Sequence, residues 1–365
     1  MAVTADETAE LGLEPAEWLT RIQTQSRRQA HDYVRERCDE QFTGREEGAL
    51  ALTALPEFVA GGKFLRPAFA YVGWSCGRAG DDRALRAVAS LELLHCFALA
   101  QDDVMDASSL RRGRPALRTA LAQWHRRQRW QGSPNRFGDS AATLFGDLFL
   151  VWAEQMLRES GVGAKELGRA WPHYDAMRTE LAVGQLADLV NDAGAAPSWA
   201  SVVDVIRRKS GNYTVRRPLE FGAAMAGCDA EVIACLGRYG GLLGEAFQFR
   251  DDVLGVFGDP EVTGKPVGED LRERKATSLV VLASDLADHA QSRALRELAR
   301  LEVVDADAIA RWQRLIVDTG APDRMELLIA QRVTRALAAI DAAVIPPHSR
   351  EALVLLAAQC TERVR

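Results

Sequence analysis

The sequence predicts an all-α fold, and three observations support this. Alanine, leucine, arginine and glutamate, which favour helices, are abundant. Apolar residues recur at helical spacing over long stretches such as Asp82–Met105, Ala141–Ser160 and Ala230–Phe249. No segment alternates apolar and polar residues between turn residues, as a half-buried strand would. We therefore expect a bundle of long helices.

The bundle is expected to be a single large domain. Of the 365 residues, 47% are hydrophobic and 26% are charged, which is the ordinary range for a globular protein. The breaks between helices, such as Gly61-Gly62 and Gly258–Gly268, are short, and no repeat is evident. The expected division is a disordered N-terminus over residues 1–12 and one domain over residues 13–365.

Charge and cysteine usage exclude several classes of protein. The net charge of −6 gives no electrostatic reason to expect a nucleic-acid partner. The six cysteines are scattered without a C-x-x-C pair, as in a protein of a reducing compartment. The acidic N-terminus lacks the apolar region of a secretory signal, and no apolar run reaches the ~18 residues of a membrane span. A cytoplasmic protein without an integral membrane segment is expected.

The first candidate site is a group of aspartates that follows the apolar run Leu91–Ala100. On a helix, side chains four positions apart share a face, so Asp102 and Asp106 point the same way, with Asp103 beside them. Like charges this close repel each other unless a positive group lies among them. Alone, such a cluster is equally compatible with a solvated acidic turn.

A second aspartate cluster changes that balance. The apolar helix Gly244–Phe249 leads into Asp251 and Asp252. Two apolar helices that each end in paired aspartates indicate carboxylates opposed across one cavity. Mg²⁺ suits such a cavity because it takes few carboxylates and leaves positions for substrate phosphates.

Basic residues complete a pattern typical of diphosphate binding. Arg111 and Arg112 follow Asp106 by five and six residues, and Lys63 and Arg66 follow a glycine pair. Further candidates are Lys209-Ser210, Lys265 and Lys275. Any one of these alone is more often a solvated surface charge. Together with two carboxylate clusters, they supply the donors that two diphosphates require.

Five motifs resemble, in order and spacing, those of the trans-isoprenyl diphosphate synthase (polyprenyl synthetase) family. They are Gly61–Pro67, Asp102–Arg112, Lys209-Ser210, Phe247–Asp252 and Gly264–Asp270. The resemblance covers roughly residues 20–360, and Asp251 to Lys275 is most similar to actinobacterial short-chain (geranylgeranyl) synthases. It implies the isoprenoid synthase fold, a bundle of mostly antiparallel helices around a deep central cavity. It also implies a homodimer and a Mg²⁺-dependent, head-to-tail condensation of isopentenyl diphosphate with an allylic diphosphate.

The resemblance further implies roles for individual residues. Three magnesium ions on the allylic diphosphate would be held by Asp102, Asp106 and Asp251, with Asp103 and Asp252 in support. The same diphosphate would be bound by Arg111, Lys209 and Lys265. Isopentenyl diphosphate would be bound by Lys63, Arg66, His95 and Arg112. The reacting carbons would be lined by Gln248 and Ser210, beneath a closing loop that carries Lys275 and Asp270. Gly184-Gln185 and Asp188 resemble the family's G-Q-x-x-D segment.

This sequence departs from the family pattern in its second cluster. Gly255 stands where a third aspartate is expected, so a carboxylate is missing there. Asp259 lies further along in a predicted loop and is one candidate to replace it.

Product length is expected to depend on the residues before the first cluster. Ala98 lies one helical turn before Asp102, and Phe97 is its neighbour. An aromatic residue followed by a small one resembles archaeal-type geranylgeranyl synthases, so we expect a geranylgeranyl product with Phe97 and Ala98 as the floor of the cavity. Phe97 as plain core packing, and a farnesyl or longer-chain product, stay open as alternatives.

Two other classes of protein fit the sequence less well. A class I terpene cyclase would carry an N-D-x-x-S motif, but Asn191-Asp192 is followed by Ala195 where the serine would stand. A di-iron bundle needs a second E-x-x-H step besides Glu92–His95, and the sequence has none.

Overall fold

The computed structural model describes residues 13–46, 48–193, 197–259, 267–341 and 345–362, and it confirms the predicted all-α bundle. The prediction of a disordered N-terminus falls on residues 1–12, which lie outside the described residues. The first helices are α1 Pro15–Phe42, α2 Gly48–Ala60, α3 Leu65–Ser75, α4 Asp82–Met105, α5 Leu117–Arg127, α6 Pro134–Arg158, α7 Ala164–Ala193 and α8 Trp199–Val205. A π-helix, Ile206–Arg216, follows α8 without a break. The later helices are α9 Arg217–Ala226, α10 Ala230–Phe257, α11 Glu269–Arg272, α12 Ser278–Leu286, α13 His289–Ala299, α14 Ala306–Asp318, α15 Ala321–Asp341 and α16 Pro347–Thr361.

Short polar side chains fix where the helices that carry the aspartate clusters begin. Asp81 accepts a hydrogen bond from the backbone N–H of Arg83 at 2.7 Å at the start of α4. Asp229 accepts one from Val232 N–H at 2.9 Å at the start of α10. Each cap satisfies a backbone donor that has no partner within its helix. The opposite ends of these two helices carry the aspartates.

The helix α4 lies at the centre of the bundle. Among the described residues it is the one helix long and apolar enough to cross a membrane, although the sequence analysis found no such run. However, 67% of its 18-residue apolar stretch is buried inside the protein, as expected for a core helix. Its apolar character therefore reflects internal packing on both sides.

Apolar side chains pack into two clusters. The larger is built around α3, α4, α6 and α9. The smaller contains side chains from α8, the π-helix, and α10 through α15. The helix α10 contributes to both: Leu243 and Phe247 pack in the larger cluster, and Phe249 and Val253 in the smaller. It therefore ties the two clusters together next to its aspartates.

Two local departures from α-helix shape the site. A short hairpin pairs Leu110 with Pro115 and Arg111 with Arg114, so a small strand pair exists where none was predicted. Its two-residue loop, Arg112-Gly113, has φ angles of 55° and 73°, the conformation of a tight type I′ turn. The other departure is the π-helix, which α7 approaches so closely that a Cβ at Gly184 would lie 2.5 Å from Lys209 N. These two features orient the basic residues described next.

Candidate active site

A single deep cavity of 810 Å³ collects most of the predicted site residues. Its wall is formed by α4, the hairpin, α7, the π-helix, α10 and the stretch 269–277. The predicted residues that line it are Lys63, Arg66, His95, Ala98, Asp102, Arg111, Arg112, Lys209, Ser210, Gln248, Asp251, Asp252, Asp270 and Lys275. Residues from distant parts of the chain thus meet at one place.

The first aspartate cluster is surrounded by positive charge. The Arg111 guanidinium donates to Asp103 and, at 3.2 Å, to Asp102 Oδ2. Lys209 Nζ lies 3.2 Å from Asp102 Oδ1. Burial alone would raise the pKa of Asp102, but the charges of Lys209, Arg111 and Lys275 outweigh burial and lower the pKa to about 2. The repulsion expected among these carboxylates is therefore relieved by nearby cations.

Lys209 links the first cluster to α7. Its Nζ donates to Asp188 Oδ2 at 2.6 Å, in addition to its contact with Asp102. Burial would lower the pKa of Lys209, but these two carboxylates raise it, so the side chain is cationic. Asp188, whose role was not predicted from the sequence, thus lies near the first cluster.

Lys275 contacts the first cluster although it lies 169 positions after Asp106. Its Nζ donates to Asp106 Oδ2 at 2.7 Å and lies 3.1 Å from Glu273. The Asp106 carboxylate raises the pKa of Lys275 against the effect of burial. The loop predicted to close over the site is therefore held against the end of α4.

In the second cluster, the hydrogen-bond donors to Asp252 are neutral, and a further carboxylate, Asp270, lies near it. Asp252 is 6% exposed, and it accepts hydrogen bonds from Gln248 Nε2 at 2.8 Å and from Ser278 N–H and Oγ at 2.8 and 2.5 Å. Burial raises the pKa of Asp252 to about 7, and these hydrogen bonds only partly oppose that rise. Asp251 lies one position earlier on α10 and lines the cavity. Gln248 and Ser278 thus hold the Asp252 carboxylate in place.

A buried group of charged and aromatic side chains lies beside the aspartates. Arg66 donates to Thr214 Oγ1 at 2.7 Å, and its guanidinium lies 4.4 Å from the ring centroid of Tyr213. Burial, reinforced by Arg66 and Arg112, holds the pKa of His95 well below its ordinary value. Its imidazole is therefore neutral near neutral pH.

The hairpin turn explains why two consecutive arginines do different work. Arg111 faces the first cluster, whereas the Arg112 guanidinium lies against Gly61 and Gly62. A Cβ at Gly62 would lie 2.7 Å from Arg112 Nη2, so only glycine permits this approach. Arg112 consequently joins the Lys63 and Arg66 side of the cavity.

Glu92 and Tyr213 belong to the cavity but were not predicted as site residues. Glu92 is 1% exposed, and burial raises its pKa while Arg112 and Arg66 lower it. Glu92 could have been predicted as a cavity residue from its position one turn before His95 on the same helix face. For Tyr213 the signal was its place four positions after Lys209. Asp192, weighed only as part of a rejected motif, also lines the cavity.

The predicted residues Phe97 and Asp259 do not line the cavity, and another predicted residue lies outside the described residues. Phe97 is half-buried and packs against the larger apolar cluster, whereas its neighbour Ala98 lines the cavity. Asp259 is exposed and does not line the cavity. Lys265 lies outside the described residues.

The donor set fits a hard divalent cation shared with a substrate. Asp102, Asp106 and Asp188 lie near one another through Lys209 and Lys275, and Asp251 lines the same cavity. No three carboxylate, imidazole or thiol groups in the described ranges enclose a metal by themselves. Mg²⁺ commonly binds through one or two carboxylates with waters and substrate phosphates, so an open set of this kind suits it.

Comparison with known proteins agrees with the site. A model of the polyprenyl synthetase family matches residues 50–316, and the chain belongs to that family. It is accordingly a prenyltransferase that makes a short-chain isoprenyl diphosphate. The chain resembles the crystal structure of a geranylgeranyl pyrophosphate synthase from Corynebacterium glutamicum, complexed with isoprenyl diphosphate and magnesium. The TM-score is 0.90 and the identity 36%, over 95% of this chain and 99% of that one. The shared fold is the isoprenoid synthase fold.

Curated relatives differ from one another in product. The geranylfarnesyl diphosphate synthase of Aeropyrum pernix is 32% identical over 84% of this chain and 92% of its own length. The geranylgeranyl diphosphate synthase of Mycobacterium tuberculosis is 33% identical over 78% and 77%. Overall similarity therefore does not distinguish the product lengths of these relatives.

Proposed function

We propose that this chain condenses isopentenyl diphosphate with an allylic diphosphate in the presence of Mg²⁺ and releases geranylgeranyl diphosphate. The observation that carries this proposal is the single cavity in which cation-rich and carboxylate-rich walls meet an apolar interior. The allylic diphosphate lies at the aspartate clusters, with Arg111, Lys209 and Lys265 on its oxygens. Isopentenyl diphosphate lies at Lys63, Arg66, His95 and Arg112.

Magnesium belongs at Asp102, Asp106 and Asp251, with Asp188 as a fourth carboxylate and three ions as the proposed number. Bound Mg²⁺ would act as a Lewis acid that stabilises negative charge on the leaving diphosphate. In the structure Lys209 and Lys275 lie against Asp102 and Asp106 and offset the negative charge of the first cluster. The same two cations face the diphosphate once substrate is bound, where preorganised positive charge favours its departure.

The reaction follows from this arrangement of charge. The allylic C–O bond breaks, and its electron pair leaves with the diphosphate. The resulting allylic cation lies among apolar side chains of the cavity, such as Leu181, Ile206 and Leu254, which keep water away. The double bond of isopentenyl diphosphate attacks the cation to form the new C–C bond. A proton then leaves the product carbon for the released diphosphate, so no side-chain nucleophile is needed.

Ala98 is the residue we assign to the product-length floor, with Phe97 behind it. Ala98 lines the cavity one turn below Asp102, and Phe97 packs against the core beside it. Ala98→Phe should shorten the product, and Phe97→Ala should lengthen it by a smaller amount. Chromatography of the products separates the two effects; an unchanged product in both variants contradicts the floor assignment.

The decisive assay is Mg²⁺-dependent turnover of isopentenyl diphosphate with dimethylallyl, geranyl or farnesyl diphosphate. Geranylgeranyl diphosphate as the final product supports the proposal. Farnesyl diphosphate or longer chains would correct the product length alone. A hydrocarbon formed from geranylgeranyl diphosphate without isopentenyl diphosphate would instead indicate a cyclase.

The proposed assembly is a cytoplasmic homodimer. Exposed apolar side chains line one face of α6 (Leu144 at 64% and Val151 at 58% exposed) and one face of α7 (Leu186 at 63% and Val190 at 62%). Apolar faces of this extent on a globular protein favour association with a second copy. Leu144→Asp with Leu186→Asp should convert a dimer to a monomer in light scattering; a wild-type monomer contradicts the assignment.

A further inference from the structure

The second aspartate cluster lacks an acid at its last position, and the space there is already filled. Gly255 lies four residues after Asp251 on α10, so the two positions share a helix face, and both line the cavity. A Cβ at Gly255 would lie 1.8 Å from Asp270 Oδ2 and 2.5 Å from its Cγ. The carboxylate of Asp270 therefore occupies the place where a side chain at position 255 would begin.

Asp270 is delivered there by a different part of the chain. It belongs to the short helix α11, which follows Gly268 in a left-handed conformation with φ of 70°. Its own backbone carbonyl accepts a hydrogen bond from Lys275 N–H at 2.9 Å, and it lines the cavity with Asp251 and Asp252. One short segment thus brings a carboxylate to the second cluster and an ammonium, Lys275, to the first.

We propose that Asp270 supplies the third carboxylate of the second cluster, and that Gly255 is required because any side chain there would displace it. The proposal rests on the proposed function, in which this cluster binds a divalent cation together with a diphosphate. Asp259, the other candidate, is exposed and lies outside the cavity lining. Since Asp270 and Lys275 share a segment, cation binding at the second cluster depends on the position of that segment.

The test exchanges the acid between the two positions and measures metal binding directly. Mn²⁺ replaces Mg²⁺ as a spectroscopic probe, and its free concentration is followed by electron paramagnetic resonance with inorganic pyrophosphate present. The variants are Asp270→Asn, Gly255→Asp and the double exchange Gly255→Asp/Asp270→Ala. Asp259→Asn is the matched control, since it removes a nearby acid outside the cavity.

Asp270→Asn should weaken Mn²⁺ binding about tenfold or more, as loss of a supporting carboxylate commonly does. Gly255→Asp alone should also weaken it, because the new side chain collides with Asp270. The double exchange should recover affinity to within about threefold of the wild type, and Asp259→Asn should match the wild type. The recovery is the result that a purely structural role for Asp270 would not give.

Wild-type affinity in Asp270→Asn overturns the proposal, as does a double exchange that binds no better than Gly255→Asp. Circular dichroism checks the fold, and if Asp270→Asn does not fold, the comparison of the double exchange with Gly255→Asp decides. Wild-type turnover is measured separately. No product from the wild type would count against the proposed function, whereas product with unchanged Mn²⁺ binding in Asp270→Asn would count against this inference alone.

Discussion

The two aspartate clusters have similar sequences but opposite electrostatic surroundings. In the first, Asp102 lies beside Arg111 and Lys209, and its pKa is lowered to about 2. In the second, burial and the nearby Asp270 carboxylate raise the pKa of Asp252 to about 7, against the hydrogen bonds from Gln248 and Ser278. A paired-aspartate motif therefore does not by itself determine whether its carboxylates are ionised. Burial and the charges brought close by the rest of the fold decide whether such a carboxylate is ionised.

The largest expected effect comes from removing the carboxylate at the centre of the first cluster. Asp102→Ala should lower turnover by roughly a thousandfold or more, because charge on the leaving diphosphate loses its main support. Steady-state kinetics with isopentenyl and allylic diphosphates measure the loss. Asp32→Ala, on the exposed surface of α1, is the control for removing an acid. Full activity with an intact fold in Asp102→Ala would remove the central assignment.

The clusters should also differ in how pH changes stability without metal. Asp252 is protonated in the fold up to pH about 7 but ionises above 3.8 when unfolded, so its effect lowers stability as pH rises between these values. Asp102 acts in the opposite sense, because its stabilising effect is lost as pH falls from 3.8 to about 2.

Asp252→Asn should remove the decline between pH 3.8 and about 7, a difference of about 4 kcal/mol. Urea unfolding in EDTA at several pH values measures it. Parallel pH profiles for the variant and the wild type would show that burial of Asp252 does not have this effect.

A cation of the first cluster comes next in expected size. Lys209→Met should lower kcat by about a hundredfold, because Asp102 and Asp188 lose their shared ammonium and the diphosphate loses a donor. Lys209→Arg keeps the charge and should recover part of the loss. If Lys209→Met changes only the KM for the allylic substrate, the lysine contributes binding without favouring diphosphate departure.

The smallest effect is expected from one neutral donor of the second cluster. Ser278→Ala removes the hydroxyl but leaves the backbone N–H that also binds Asp252, so stability should fall by only about 1 kcal/mol. Chemical denaturation measures the change. A loss several times larger would mean that the hydrogen bond from the Ser278 hydroxyl, and not burial, makes the larger contribution to stability at Asp252.

The helices and both aspartate clusters could be predicted from the sequence alone, because apolar periodicity and short residue spacings can be read without knowing any tertiary contact. The family could be predicted because five motifs resemble it in order and spacing. The all-α fold and the prenyltransferase class were predicted correctly. The short hairpin was not, because its strands are too short to show a period. The single-domain division and the site roles stay predictions.

Tertiary structure alone decided which distant groups meet. Lys275 reaches Asp106 across 169 positions, and Asp270 fills the space at Gly255, because the segment after α10 packs against α10 and also reaches the end of α4. The contrast between the clusters has the same origin. A carboxylate's pKa depends on burial and on charges a few ångströms away, and those neighbours are set by packing between helices rather than by the local motif.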